Sequence, residues 1–173
     1  MRAPLPLLAL VFGLAGCGAA QRPSADDAAA VGRALDEWHA AAAASDAPRY
    51  FAAFTDDAIF LGTDATERWT VAELRAYAER PFAQGRGWVM RAVRRDVVVE
   101  GELAWFDEDL EAVNLGPARG SGVLRREGGR WRIAHYNLAI TVPNERFAAV
   151  RALLGEAPQP AAETSGETSI TTE

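Results

Sequence analysis

The sequence predicts an α+β domain: N-terminal helices covering one face of a strongly curved antiparallel sheet, followed by one short C-terminal helix. Three observations predict it. Apolar residues at helical spacing come first, before Pro81. Alternating runs rich in valine and tryptophan then fill the stretch from Trp88 to Val142. Between the last two runs stands Glu127-Gly128-Gly129-Arg130, a tight-hairpin signal.

Taken in order, Ser24-Ala25-Asp26-Asp27 supplies a helix start of the Ser-x-x-acid kind. Val31, Leu35, Trp38 and Ala42 recur at spacings of three and four, one face of an amphipathic helix. Ser45-Asp46-Ala47-Pro48 stops it and starts a second, with Asp46 as cap, Pro48 in the first turn, and Tyr50, Phe51 and Phe54 facing inward. A short strand over 57–62 ends at Gly62-Thr63-Asp64. Thr70-Val71-Ala72-Glu73 is a capping box that opens a third helix through Leu74 and Tyr77, ending before Pro81. Strands are expected over 88–100, 103–113, 120–126 and 131–142. A last helix starts at Pro143-Asn144 and runs through Phe147, Val150 and Leu154 to a Gly155 cap. The domain is thus expected over 27–155, with a disordered tail over 156–173 made of Pro, Ala, Thr, Ser and Glu.

Ahead of the domain, Met1-Arg2, an apolar stretch and Leu14-Ala15-Gly16-Cys17 are the three parts of a secretory signal. The apolar part is shorter than the about 20 residues that a spanning helix needs. Leu-Ala-Gly-Cys resembles the lipobox of bacterial lipoproteins. That resemblance implies a signal peptide over 1–16, lipidation of Cys17, a tether over 17–26 and attachment to a membrane through the lipid. Gly18 stands where an Asp would imply inner-membrane retention, so the resemblance points to the periplasmic face of an outer membrane.

Composition excludes several chemistries. The net charge is −6, and a nucleic-acid partner calls for a basic face. All 18 basic side chains are arginine, which removes the lysine amine of Schiff-base and phosphate-loop chemistry. Cys17 is the only cysteine, so the domain has no thiol nucleophile, disulfide or cysteine–zinc site. His39 and His135 are the only histidines, too few for a three-histidine metal centre. No cofactor and no metal are expected.

Several stretches carry a resemblance. Trp38-His39 with Ser45-Asp46, Phe60-Leu61-Gly62-Thr63-Asp64, Ala104-Trp105-Phe106-Asp107-Glu108, Arg119-Gly120-Ser121-Gly122-Val123-Leu124 and Trp131 to Leu138 occur in that order. Together they resemble the SnoaL-like group of the nuclear transport factor 2-like superfamily, over about residues 28–145. The resemblance implies a conical α+β barrel with a pocket between sheet and helices, often dimeric through the outer sheet face. The superfamily includes isomerases, cyclases, dehydratases and members without catalysis, so fold alone does not assign an activity.

Ketosteroid isomerase is the best-understood enzyme on that fold, with a tyrosine, an Asp base and a neutral Asp. Counted onto this chain, those positions fall on Trp38, Gly62 and close to Gly122, and none matches. The remaining acid–base candidates are Asp64, Glu108 and His135. Asp64 follows Gly-Thr and reads first as a turn residue. Asp107, Asp109 and Glu111 share one strand face, which suits either a hard cation or, more simply, pairing with arginines. Glu108 points the other way and is expected to be buried and paired with Arg91 or Arg119. His39 is expected to be an exposed helix residue. His135 and Asn137 share a face opposite Tyr136. Ser121 with His135 suggests a hydrolase triad, but no Gly-x-Ser-x-Gly elbow precedes a helix. Trp38, Trp88, Trp105, Ser121, Tyr136 and Asn137 are the candidate pocket residues, apolar walls with a few polar groups.

These readings converge on a lipid-anchored envelope protein whose pocket binds a small, largely apolar molecule without catalysis, as a homodimer. The alternatives are a lyase, isomerase or cyclase using a pocket acid–base residue, and a dimeric interaction module without ligand.

Overall fold

The computed structural model describes residues 25–155. The expected signal peptide (1–16), the expected tether (17–26) up to residue 24 and the expected tail (156–173) lie outside the described residues, and α1 begins at Ala25, within the expected tether. Helices α1 (Ala25–Ala43), α2 (Ala47–Ala52) and α3 (Val71–Ala83) come early, and α4 (Phe147–Leu154) follows a 3-10 turn. The strands are β1 (Phe54–Leu61), β2 (Arg68–Thr70), β3 (Met90–Glu100), β4 (Leu103–Ala112), β5 (Gly116–Glu127) and β6 (Arg130–Ile140). They form one curved, open sheet in the order β2-β1-β6-β5-β4-β3. Every pair is antiparallel except β1 with β6. A parallel pair needs a long connection, and β2, α3 and three long strands intervene between β1 and β6.

Val31, Leu35, Trp38 and Ala42 are buried as one stripe of α1, as their spacing predicts. Ser45 takes a left-handed conformation (φ 56) that reverses the chain, and its hydroxyl accepts Gly87 N–H at 2.9 Å. The Asp46 cap accepts the Arg49 amide at 3.1 Å. Phe54 is buried but opens β1 rather than extending α2. The carbonyl of Ala53 accepts Ile133 N–H at 2.8 Å, so sheet pairing claims the backbone where the helix would continue.

The Thr70–Glu73 capping box forms reciprocally. The third helix, however, runs past Pro81 to Ala83. The proline forfeits one backbone bond. Buried Phe82 compensates by packing on Trp88 (4.9 Å between centroids) and Tyr50 (5.4 Å). Strand β2 is not foreseen, since three residues carry no period. Gly128 and Gly129 both have positive φ, the geometry of the two-residue hairpin turn that their sequence signals.

Two one-residue shifts set which side chains face inward. Between Leu124↔Ile133 and Val123↔His135, β6 gains Ala134 as an extra residue. Trp131 and Ile133 face in before the bulge, and Tyr136 and Leu138 face in after it. His135 and Asn137 therefore lie on the outer face. Val93 plays the same part in β3, between Ala92↔Leu110 and Arg94↔Asp109.

Candidate functional site

The inner face of β4 carries Ala104, Phe106, Glu108, Leu110 and Ala112, all buried. Glu108 is the charged member of that row and is 0% exposed. It is partnered by Arg95, directly opposite on β3, and not by Arg91 or Arg119. Arg95 Nε donates to Oε2 at 2.8 Å, while its Nη1 donates to Gly32 O (3.0 Å) and to Asp36 (2.8 Å) on α1. His39 Nε2 stands 2.8 Å from Oε1, and the Tyr136 hydroxyl donates to the same oxygen at 3.3 Å. His39 is thus 7% exposed, not a solvated helix residue. It sits on the turn beside Trp38, where the apolar stripe of α1 is wide enough to include it. Burial by itself raises the Glu108 pKa. The His39 hydrogen bond and charge, with the Arg95 charge, outweigh it and hold the carboxyl below its ordinary value.

The two buried tyrosines give a pH signature. Burial raises Tyr50, and burial followed by the Glu108 charge raises Tyr136 well above the ordinary tyrosine range. The unfolded chain therefore releases these protons from about pH 10, while the folded chain keeps them. The stability they contribute is present below that pH and is lost as pH rises, by about 1.4 kcal/mol per pH unit per tyrosine. Urea midpoints at pH 9 and 11 should show that loss. Tyrosinate absorbance from two or more residues ahead of any loss of near-ultraviolet ellipticity would contradict it.

A separate cavity of about 210 Å³ opens among β1, β2, α3 and the segment before β3. Tyr50, Phe60, Trp69, Tyr77 and Trp88 line it, with Thr63, Glu67 and Asn114 as its polar members. Trp69 stacks on Tyr77 at 4.6 Å, and Tyr77 and Trp88 lie 1° from parallel at 6.2 Å. No arginine lines this cavity, and Glu67 is its one formal charge. Gly62 makes the arrangement possible, because a Cβ there would overlap the Glu67 carboxylate.

The structure divides the other sequence candidates. Trp88 lines the cavity, and Trp38 and Tyr136 are buried beside it in the aromatic core. Tyr136 stacks on Phe60 at 5.4 Å, just behind the cavity wall. Trp105, Ser121, His135 and Asn137 face outward on β4, β5 and β6 and do not join it. Asp64 is exposed and accepts the Thr66 side chain and amide, which lowers its pKa and makes it a weak base in a turn. Asp107, Asp109 and Glu111 pair with Arg94, Arg119 and Arg91. No metal-binding group of three such ligands is found among the described residues. Of the five rings that line the cavity, only Trp88 is among the pocket candidates read from the sequence; Tyr50, Phe60, Trp69 and Tyr77 are not, although Trp69 and Tyr77 flank the capping box.

Solved structures share this architecture. An NTF2-like protein of unknown function from Pseudomonas putida KT2440 superposes with a TM-score of 0.61 at 18% identity, covering 70% of this chain and 92% of its own. A protein with a cystatin-like fold from Nostoc punctiforme gives 0.61 at 17%, covering 70% and 96%. A candidate dehydratase of the NTF2-like family from Streptomyces avermitilis gives 0.59 at 14%, covering 68% and 98%. At these identities the likeness shows the fold alone. No curated protein matches the chain. Residues 31–143, from the first buried turn of α1 to the end of β6 and just beyond, match the SnoaL-like domain, and the chain belongs to that family.

Proposed function

We propose that this SnoaL-like domain is a non-catalytic binding domain that takes a flat, largely apolar, uncharged molecule in the aromatic cavity. The observation that carries it is the lining: five aromatic rings and no basic side chain, in a chain with 18 arginines. Flat rings bind by offset stacking, worth about 0.5–1.5 kcal/mol per pair beyond area burial. The volume lies below the roughly 300–1,000 Å³ of sites for drug-sized ligands, which limits the occupant to one or two rings. The signal segment and Cys17 support display of the domain from a lipid anchor at the cell envelope, on the periplasmic face of the outer membrane. A homodimer is supported by the outer sheet face, where Val98, Trp105 and Val123 lie side by side across three strands and Trp105 is 45% exposed.

A lyase-type reading has one observation in its favour, the buried His39–Glu108 pair. Its carboxylate is already engaged by His39, Tyr136 and Arg95, and neither residue lines the aromatic cavity. That arrangement fits a support for the core better than a group waiting for substrate.

Native mass spectrometry of the full chain released from mild detergent tests the proposal. A small bound molecule is expected on the wild type, with affinity about tenfold lower in Trp88→Ala. An empty cavity that takes up nothing from a library of one- and two-ring compounds would overturn it. Turnover of a bound compound, lost in His39→Ala while binding persists, would replace it with the lyase reading.

A further inference from the structure

A second cleft, of about 500 Å³, shares no lining residue with the aromatic cavity. Arg33 from α1, Arg49 from α2, and Arg130 and Arg132 from β6 line it, and Glu37 is its one carboxylate. Most arginines of the sheet are spent on carboxylates: Arg91, Arg94, Arg95, Arg119, Arg125 and Arg126 all have acidic partners. Arg33, Arg130 and Arg132 have none among the described residues, and Arg49 has only a loose pairing with Asp46 at 3.8 Å. Four arginines against one carboxylate is a local excess opposite in sign to the net charge of −6.

The floor adds an independent observation. Trp38 lines this cleft and is 2% exposed, and its indole N–H has no acceptor in the protein. That nitrogen is itself out of solvent contact, so the ring stands next to an occupant of the cleft and reports on it without opening into it. The remaining walls are small and apolar: Ala30, Ala34, Ala52 and Ala53, with the Trp131 ring.

We propose that this cleft is a phosphate-binding site, in which the arginines bind the oxyanion and Trp38 lies in the wall beside it. A phosphate offers several acceptor oxygens and up to two charges, which suits several planar guanidinium forks better than a single carboxylate does. The alanine walls leave room for an apolar group attached to the phosphate. The phosphate has two possible sources, the free ion and the head group of an amphiphile.

The test uses the full chain in neutral detergent and reads the Trp38 indole N–H resonance, assigned with Trp38→Phe. Inorganic phosphate, dodecyl phosphate and dodecyl maltoside are titrated separately. A saturable shift with inorganic phosphate supports the site and a free-ion source. A shift with dodecyl phosphate alone supports the site and an amphiphile source. Arg33→Gln with Arg132→Gln should weaken the active probe about tenfold. Glu37→Gln should tighten it several-fold, an opposite sign that a misfolded variant would not produce. The proposal is overturned if neither phosphate moves the resonance, if dodecyl maltoside moves it equally, or if Glu37→Gln has no effect.

Discussion

Glu108→Ala is expected to cost about 3–5 kcal/mol of folding stability, the usual penalty for breaking a buried ion pair from one side. The carboxylate is fully buried and satisfies three donors, on α1, β3 and β6. Its removal leaves the His39 ring nitrogen and the Tyr136 hydroxyl without their acceptor and Arg95 with only Gly32 O and Asp36. For a domain whose total stability falls in the usual 5–15 kcal/mol, such a loss approaches unfolding. Glu108→Gln keeps the shape and some of the hydrogen bonds, and should fold with a smaller deficit. Asp109→Ala, on the exposed face of the same strand, should cost less than about 1 kcal/mol. Urea unfolding of the three variants ranks them, and a Glu108→Ala midpoint beside that of Asp109→Ala would refute the buried-hub reading.

The same residue sets the acid limb of the stability curve. Its folded pKa lies below the ordinary carboxylate value of about 4.3. Its contribution is therefore complete above that value and disappears as pH falls through the lower, folded one. Wild type should lose stability below about pH 5 more steeply than Glu108→Gln, which has no proton to take up there.

Glu108 also shows how far the sequence carries. Its inward direction follows from alternation along β4, and its burial was expected on that basis. Its partner was legible too, by counting from the turn rather than by choosing a nearby arginine. Gly101 and Glu102 form a two-residue turn, so Glu100 faces Leu103, and five residues further along each strand Arg95 faces Glu108. His39 was half legible: Leu35, Trp38, His39 and Ala42 complete an i, i+3, i+4, i+7 set, but nothing local shows that a carboxylate 69 residues away awaits it.

The bulge at Ala134 lies beyond such counting. Neither glycine nor proline marks it, and a strict period of two started from Trp131 would turn His135 and Asn137 inward and Tyr136 outward. The packing of Tyr136 against Trp38 (4.6 Å) and Phe60 decides the matter, and both partners are distant in sequence. The aromatic cavity escaped for the same reason. Trp69 is brought to Phe60 by a three-residue strand, and Tyr77 to Trp88 by a helix that continues past its proline.

Gly120→Ala is expected to be nearly as damaging as the loss of Glu108, although it adds only one methyl group. Gly120 lies on β5 directly opposite Glu108 and Leu138. Its φ is not unusual, so the demand for glycine is one of space rather than backbone freedom. A Cβ there would overlap the Tyr136 hydroxyl and stand 2.8 Å from Glu108 Oε1 and 3.0 Å from its Cγ. Neither side chain can swing aside, since Tyr136 is packed among Trp38, Phe60 and Phe106 and Glu108 is held by three partners. Overpacking of this kind costs about 1–3 kcal/mol, and here it also pries apart a hydrogen-bonded pair. Tyr136→Phe removes the oxygen that the methyl would strike, at the cost of one hydrogen bond at 3.3 Å. The double variant Gly120→Ala/Tyr136→Phe should therefore be more stable than Gly120→Ala alone, with a coupling of about 1 kcal/mol or more in a double-mutant cycle. Additive losses would mean that the β5 backbone relaxes away from β6 rather than pressing on Tyr136, and Gly120 would then be a residue of the strand alone and not of the Glu108 hub.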